Sequence, residues 1–247
     1  MATTAENSVP EPSGAVVALL EADPDLGALL DEPRRAAAAR AATARRQRLE
    51  PGPWQPPASA EPAHLGLLVL GGLLTRTVTV AGRESVELLA QGDVLRPWIR
   101  IGPEAPVSTV VSWEVVEPTE VAVLDGDFAR RITEWPELTA ALLDRAIMRS
   151  RLLAFALAIS HVRRVDDRLL LLFWHLADRW GRVTVDGVVI PLRLTHRALA
   201  TLVGAQRPSV STALGTLRDQ GSVERRDDGS WLLRGEPAQA LGAIKAR

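Results

Sequence analysis

No cysteine occurs in the 247 residues, which excludes disulfides, Cys-ligated zinc and Cys-ligated iron–sulfur clusters. No apolar run is long enough to cross a bilayer, so no membrane partner is expected. The acidic, proline-containing N-terminus lacks the basic-then-apolar order of a signal peptide, and the expected location is cytoplasmic. Charge is scarce only in the sum. The formal net charge is −1, yet residues 145–247 carry 17 Lys and Arg against 9 Asp and Glu, whereas residues 1–144 carry 12 against 21. A basic C-terminal part on an acidic body fits a nucleic-acid module joined to a domain that does not touch DNA.

The length suits two domains with cores of their own. Residues 1–13, with Pro10 and Pro12, read as a disordered start. Val16, Val17, Leu19, Leu20, Leu26, Leu29 and Leu30 recur at helical spacing as two short helices, and a third is expected from Pro33 to about Arg46. From His64 to Asp125 the apolar runs 65–70, 73–80, 85–90, 107–116 and 119–124 are separated by Gly71-Gly72, Gly82, Gly92-Asp93 and Gly102-Pro103. They predict short strands closing into a small barrel or jelly roll.

Helix 136–162 opens at Pro136, a favoured first-turn residue. Leu138, Ala141, Arg145, Met148, Leu152, Phe155, Ile159 and Val162 follow at 3,4 spacing. This heptad seam predicts a parallel two-helix homodimer, with Met148, Leu152, Phe155 and Ile159 at the interface and Arg145 as the one polar interruption.

Leu194 to Gln220 carries two helical faces, Leu194/Leu199/Leu202/Val203 and Val210/Ala213/Leu214/Leu217, broken at Gly204. Thr195 is a good N-cap for the first helix, and Pro208 is harmless in the first turn of the second, whose outer face carries Arg207, Ser209, Ser211 and Thr212. A helix built on Leu170, Phe173, Trp174 and Ala177 and a hairpin around Asp186-Gly187 precede the pair. A second hairpin around Asp228-Gly229 follows, with Arg225 and Arg226 at its start and Trp231 turned inward. Helix, hairpin, two helices and wing in that order make a winged helix-turn-helix.

Leu194-Thr195, the Leu202-Val203-Gly204 turn, Arg207, the Val210/Leu214/Leu217 core and Asp219-Gln220-Gly221 resemble the DNA-binding domain of the catabolite-activator/FNR (Crp/Fnr) family of bacterial regulators. The likeness extends in weaker form over most of the chain. It implies an α+β fold: a disordered 1–13, a β-roll sensor-like domain with flanking helices over 14–133, a dimerisation helix over 134–164, and a winged helix-turn-helix over 165–247. It also implies a homodimeric, sequence-specific transcription regulator whose helix 207–220 lies in the major groove of a roughly palindromic operator. Arg207 is the expected base contact, since a guanidinium pairs bidentately with guanine. Ser209, Ser211 and Thr212 make shorter contacts, and Thr195, Gln206, Arg225 and Arg226 hold the backbone. Pro208 stands where the best-known relatives have an acidic residue that reads cytosine, and Thr212 where they have an arginine, so their operator does not carry over. Besides double-stranded DNA and a second copy, RNA polymerase and an unidentified small-molecule effector are candidate partners.

The Gln91-Gly92-Asp93-Val94 turn resembles the glycine-aspartate corner of the family's cyclic-nucleotide-binding β-roll. The phosphate cassette that the resemblance calls for, a Gly-Glu turn followed by Arg-Ser or Arg-Thr, is missing from 95–110. Arg96 and Arg100 stand there without a glycine-rich setting, and Leu153-Ala154 occupy the place of a Thr-Ser pair in a cAMP-responsive relative. A degenerate sensor domain that does not bind cAMP is expected, with no cofactor assigned. The absence of cysteine removes the family's iron–sulfur branch. The alternative is a cupin-like β-roll small-molecule-binding protein or enzyme with an accessory helical domain. Cupin metal sites typically start from two histidines one residue apart, and His64, His161, His175 and His196 include no such pair, so no catalytic residue or metal ligand is assigned.

Overall fold

Two long antiparallel strands organise the N-terminal half. The structure, a computed structural model, describes residues 15–57, 63–98 and 107–237 together with residues 242 and 244. The expected disordered start 1–13, Arg100 and Gly102-Pro103 lie outside the described residues. The N-terminal elements are β1 (Val16–Ala18), α1 (Leu19–Ala22), α2 (Glu32–Ala41), β2 (Thr43–Leu49), β3 (Gly52–Trp54), β4 (Gly66–Val80), β5 (Arg83–Ala90), β6 (Val94–Leu95), β7 (Thr109–Leu124) and α3 (Gly126–Arg131). Then come α4 (Pro136–Ser160), α5 (Val165–Trp180), β8 (Arg182–Thr184), β9 (Gly187–Ile190), α6 (His196–Leu202), α7 (Arg207–Asp219), β10 (Val223–Arg225) and β11 (Trp231–Leu233). The class is α+β, as expected.

Among the described residues seven strands form one antiparallel sheet, in the order β1-β2-β7-β4-β5, with β3 on β7 and β6 on β4. The sequence pattern divides β4 at Gly71-Gly72 and β7 near Pro118, but each strand continues through its break as a bulge, with register shifts between Val69 and Leu74. Gly72 has φ +94°, and a Cβ there would collide with the Pro118 carbonyl and Thr119, so glycine is what lets the strands meet. The alanine-rich helix α2 ends at Ala41, short of the expected Arg46. Residues 43–49 pair with both β1 and β7, and Ala44 and Leu49 turn inward; strand pairing overrides the helix propensity of the run. Val16 to Ala18 likewise form a strand on β2 rather than helix.

Three apolar cores follow. Inside the roll, Leu67, Val69, Leu74, Leu89, Leu95, Val115 and Val121 pack with partly buried Trp54, Trp98 and Trp113. Outside it, Leu19, Leu26, Ala38, Phe128, Ile132, Leu138 and Leu142 clamp the N-terminal helices and the start of α4 onto the sheet. The third core belongs mainly to the C-terminal part, yet takes in Leu73, Leu88 and Ala90 of the roll and Ile159 of α4. A shared core at about 1.5–3 kcal/mol per fully buried large apolar side chain fixes one domain on the other.

Candidate nucleic-acid interface

The C-terminal domain is built on α5, whose Leu169, Leu172, Phe173 and Leu176 are buried with Leu199 of α6, Val203 at its C-cap, and Val210, Leu214 and Leu217 of α7. Thr195 caps α6, its hydroxyl oxygen accepting from the Ala198 amide at 3.1 Å. The chain reverses at Gly204, with φ +61°, where the Ala205 amide donates to the Ala200 carbonyl. Arg168, a residue sequence reasoning passed over, holds this turn: its guanidinium donates to the Val203 and Gly204 carbonyls and to the Val162 carbonyl at the end of α4. Its only sequence signal is the position three residues into a helix that must meet both neighbours.

The two predicted hairpins join a second sheet, in the order β10-β11-β9-β8. Thr184 pairs with Gly187, so Val185-Asp186 form the two-residue turn and Gly187 opens β9. In the wing the Arg226 amide donates to the Ser230 carbonyl, Gly229 turns with φ +86°, and the Asp228 carboxylate accepts from the Ser230 amide and hydroxyl. Those bonds hold the Asp228 carboxyl below its usual range. Trp231 is buried 5.0 Å from the Phe173 ring.

Arg207 and Pro208 open α7, and Gln206 at its N-cap makes no side-chain capping bond. Gln206, Arg207, Ser209, Ser211 and Thr212 are all exposed, as are Thr195, Arg225 and Arg226. The Thr212 hydroxyl donates back to the Pro208 carbonyl, so its oxygen remains available to accept. His196 is absent from the expected site, yet its Nδ1 lies 2.9 Å from the Ser211 hydroxyl. Partial burial, then the nearby Arg225 and Arg207 guanidiniums, push its pKa below the usual histidine value. His196 thus links the first turn of α6 to α7, with Arg225 of the hairpin close enough to act on its charge. Arg193 and Arg197 add exposed positive charge on either side of Thr195. Among the described residues, none of Arg193, Arg197, Arg207, Arg225 and Arg226 forms an ion pair with a carboxylate.

The expected dimer residues fall differently. Met148 is exposed and Leu152 half-buried, but Phe155 stacks 4.2 Å from the His175 ring and Ile159 is buried in the chain's own core. Arg145 is turned into the chain as well, bound through Nη2 to both Asp23 carboxylate oxygens at 3.0 and 3.3 Å. The outward apolar row of α4 is Leu143, Ile147, Leu153 and Leu157, each 43–64% exposed. A helix packed on its own domain carries apolar residues on two faces, and spacing alone does not say which of them would meet a second chain.

Arg96 is exposed, and Asp93 holds the expected corner: its carboxylate accepts from the Ala90 amide at 2.9 Å and binds Arg179 of α5. His64 packs edge-on to Trp98. Among the described residues, no cluster of His, Cys, Asp and Glu could hold a metal, and no helix is long and apolar enough to cross a membrane.

The arrangement α5, hairpin, α6, α7 and wing defines a class, and comparison with known proteins identifies it. Residues 164–235 match the model of the Crp-like helix-turn-helix domain. The regulatory protein CysR of Synechococcus elongatus is 35% identical over 74 residues, 29% of this chain and 36% of CysR. The global nitrogen regulator of the same organism is 32% identical over 92 residues, 36% of this chain and 40% of that protein. The match therefore spans less than half of these curated relatives. Over the whole fold, a CooA variant from Carboxydothermus hydrogenoformans superposes with TM-score 0.61 at 18% identity, covering 81% of this chain and 88% of that one. A transcriptional regulator of the CRP/FNR family from Thermus thermophilus gives 0.54 at 18% identity, covering 82% and 98%. Residues 164–235 thus carry a Crp-like helix-turn-helix domain, and about four fifths of the chain shares the fold of these solved regulators.

Proposed function

We propose that the protein is a cytoplasmic, sequence-specific DNA-binding transcription regulator that works as a homodimer on a roughly palindromic operator and does not respond to cAMP. The observation that carries this reading is the exposed cationic group of Arg207 and Arg225 beside His196 at the open N-terminus of α7, with Arg226 exposed next along the hairpin. Free helical amides and arginines beside them suit phosphates, and Arg207 at the head of α7 suits a base edge. Thr195, Gln206, Ser209, Ser211 and Thr212 supply neutral contacts around it. The division at 14–133, 134–164 and 165–247 then separates sensing, dimerisation and DNA binding. The second copy would sit on the outward row of α4, formed by Leu143, Ile147, Leu153 and Leu157. The reading against cAMP is supported by a roll interior filled with leucine, valine and tryptophan, and by Leu153-Ala154 offering a nucleotide no polar group. An unknown effector and contact with RNA polymerase complete the reading.

The test separates base from backbone contacts. Selection from random duplex yields the operator. Arg207→Ala is expected to cost about 1–3 kcal/mol per half-site and to relax preference at one position in each. Arg226→Ala should weaken all duplexes alike and reduce the salt slope by about one per half-site. If Arg207→Ala weakens every duplex equally while Arg226→Ala alters base preference, helix and wing have been assigned the wrong way round.

A further inference from the structure

Between the β-roll and the DNA-binding domain lies a cavity of about 390 Å³, whose walls include Asp23, Gly71, Glu117, Arg145, Arg179 and Arg182. Its size falls in the range of small-molecule sites, about 300–1,000 Å³. It draws on the N-terminal segment, β4, β7, α4 and the α5–β8 junction, so an occupant would touch both domains at once.

The wall carries both signs of charge. Arg145 is committed to Asp23, and one arm of Arg179 to Asp93. Arg179 Nη1 and Glu117 Oε1, however, are buried without a hydrogen-bond partner among the described residues. A buried polar atom left unpaired costs about 1–3 kcal/mol, more when charged. Both residues line the cavity, so its wall presents a carboxylate and a guanidinium whose hydrogen-bonding capacity the fold has not filled. Arg182 adds an exposed guanidinium on the same wall. A polyanion would bring its charge against Glu117 and Asp23, and a plain cation would face the arginines.

A glycine supplies an independent observation. Gly72 is required by its positive φ and by its approach to Pro118, but the adjacent Gly71 has neither constraint: a Cβ added there meets nothing within 4 Å. The fold does not call for glycine at position 71, and its missing side chain leaves the cavity open.

We propose that this cavity binds a small zwitterion of the amino-acid class, its ammonium group on Glu117 and its carboxylate on Arg179 and Arg182. Occupancy does not depend on the DNA-binding reading; any effect on operator affinity does. Calorimetry and thermal melting of the full chain with each of the standard amino acids at millimolar concentration test it. At least one should bind once per chain and raise the melting temperature. Gly71→Leu, which fills the cavity without adding charge, should abolish that binding while leaving the melting temperature of the unliganded protein and its operator affinity unchanged. Glu117→Gln should weaken binding at least about tenfold, and the ligand stripped of its ammonium group should bind no better to wild type than to Glu117→Gln. If no amino acid binds the wild type, or if binding survives Gly71→Leu, the proposal is wrong. A protein that binds the amino acid but no DNA would instead defeat the function proposed for the recognition helix.

Discussion

Arginine does two different jobs on the two sides of this molecule. Around α4 and the roll it is paired: Arg145 with Asp23, Arg149 with Glu87, and Arg179 with an Asp93 that is wholly buried. On the outer face of α6, α7 and the wing, Arg193, Arg197, Arg207, Arg225 and Arg226 are exposed and form no ion pair among the described residues. The excess of acid in residues 1–144 and of base in residues 145–247 is the same fact in composition. Interior carboxylates consume some of the arginines as interdomain ties, and the remainder present positive charge outward. Which role an arginine takes is decided by the partner that the fold brings to it.

The sharpest way to break this comparison is to strip an interior arginine. Asp93 is desolvated by burial, which pushes its carboxyl pKa up, and Arg179 opposes that shift. Removing one member of such a pair leaves a buried charge unmatched, so Arg179→Ala should cost about 3–5 kcal/mol in urea denaturation. Combining Arg179→Met with Asp93→Asn keeps an acceptor for the Ala90 amide and removes both charges, and should recover most of the loss. If the double variant is no more stable than Arg179→Ala, the unmatched charge is not the cause. Stripping an outward arginine should leave stability unchanged and show only in DNA titrations.

The second prediction concerns the two faces of α4. Leu153→Asp with Leu157→Asp charges the outward row and should give monomers in light scattering, with operator affinity lower by about a hundredfold or more once the half-sites are no longer linked. Phe155→Ala disturbs instead the stack on His175 and should lower the melting temperature while the protein remains dimeric. A dimer that survives the double aspartate substitution places the second copy elsewhere.

Most of the C-terminal domain was legible in the sequence, because its signals are local. A threonine cap, a glycine turn, two apolar helical faces and two Asp-Gly hairpins each specify structure within a few residues. The roll was legible as strands but not as strand lengths, since whether Gly71-Gly72 ends a strand or bulges it depends on Pro118 and Thr119, far along the chain. The helical reading of Val16 to Ala18 and of residues 43–46 failed for the same reason: their partners are remote. In the candidate interface, exposed arginines on an amphipathic helix were readable. His196 was not, because its role comes from Ser211, Arg207 and Arg225 converging on it in space.

The smallest expected effect separates the two sides by protonation. His175, inside, and His196, at the interface, both have their pKa pushed below the ordinary value of about 6.5, in each case first by burial. A neutral imidazole in the fold that becomes charged in the unfolded chain means that the unfolded state binds more protons in the window between the depressed value and about 6.5. Stability is therefore full at neutral pH and falls as pH drops through that window. His175→Phe keeps an aromatic ring against Phe155 and removes the proton site, so it should flatten the fall measured by denaturation across mildly acidic pH. His196 should differ in the presence of DNA. Its depression owes something to Arg225 and Arg207, and phosphates placed on those arginines would offset their charge and raise its pKa. The complex then binds more protons than the free protein, and affinity should increase modestly as pH falls towards 6, an increase that His196→Gln abolishes and His175→Phe preserves. If His196→Gln keeps the full pH dependence of DNA binding, the titrating group lies elsewhere and His196 serves only to hold Ser211.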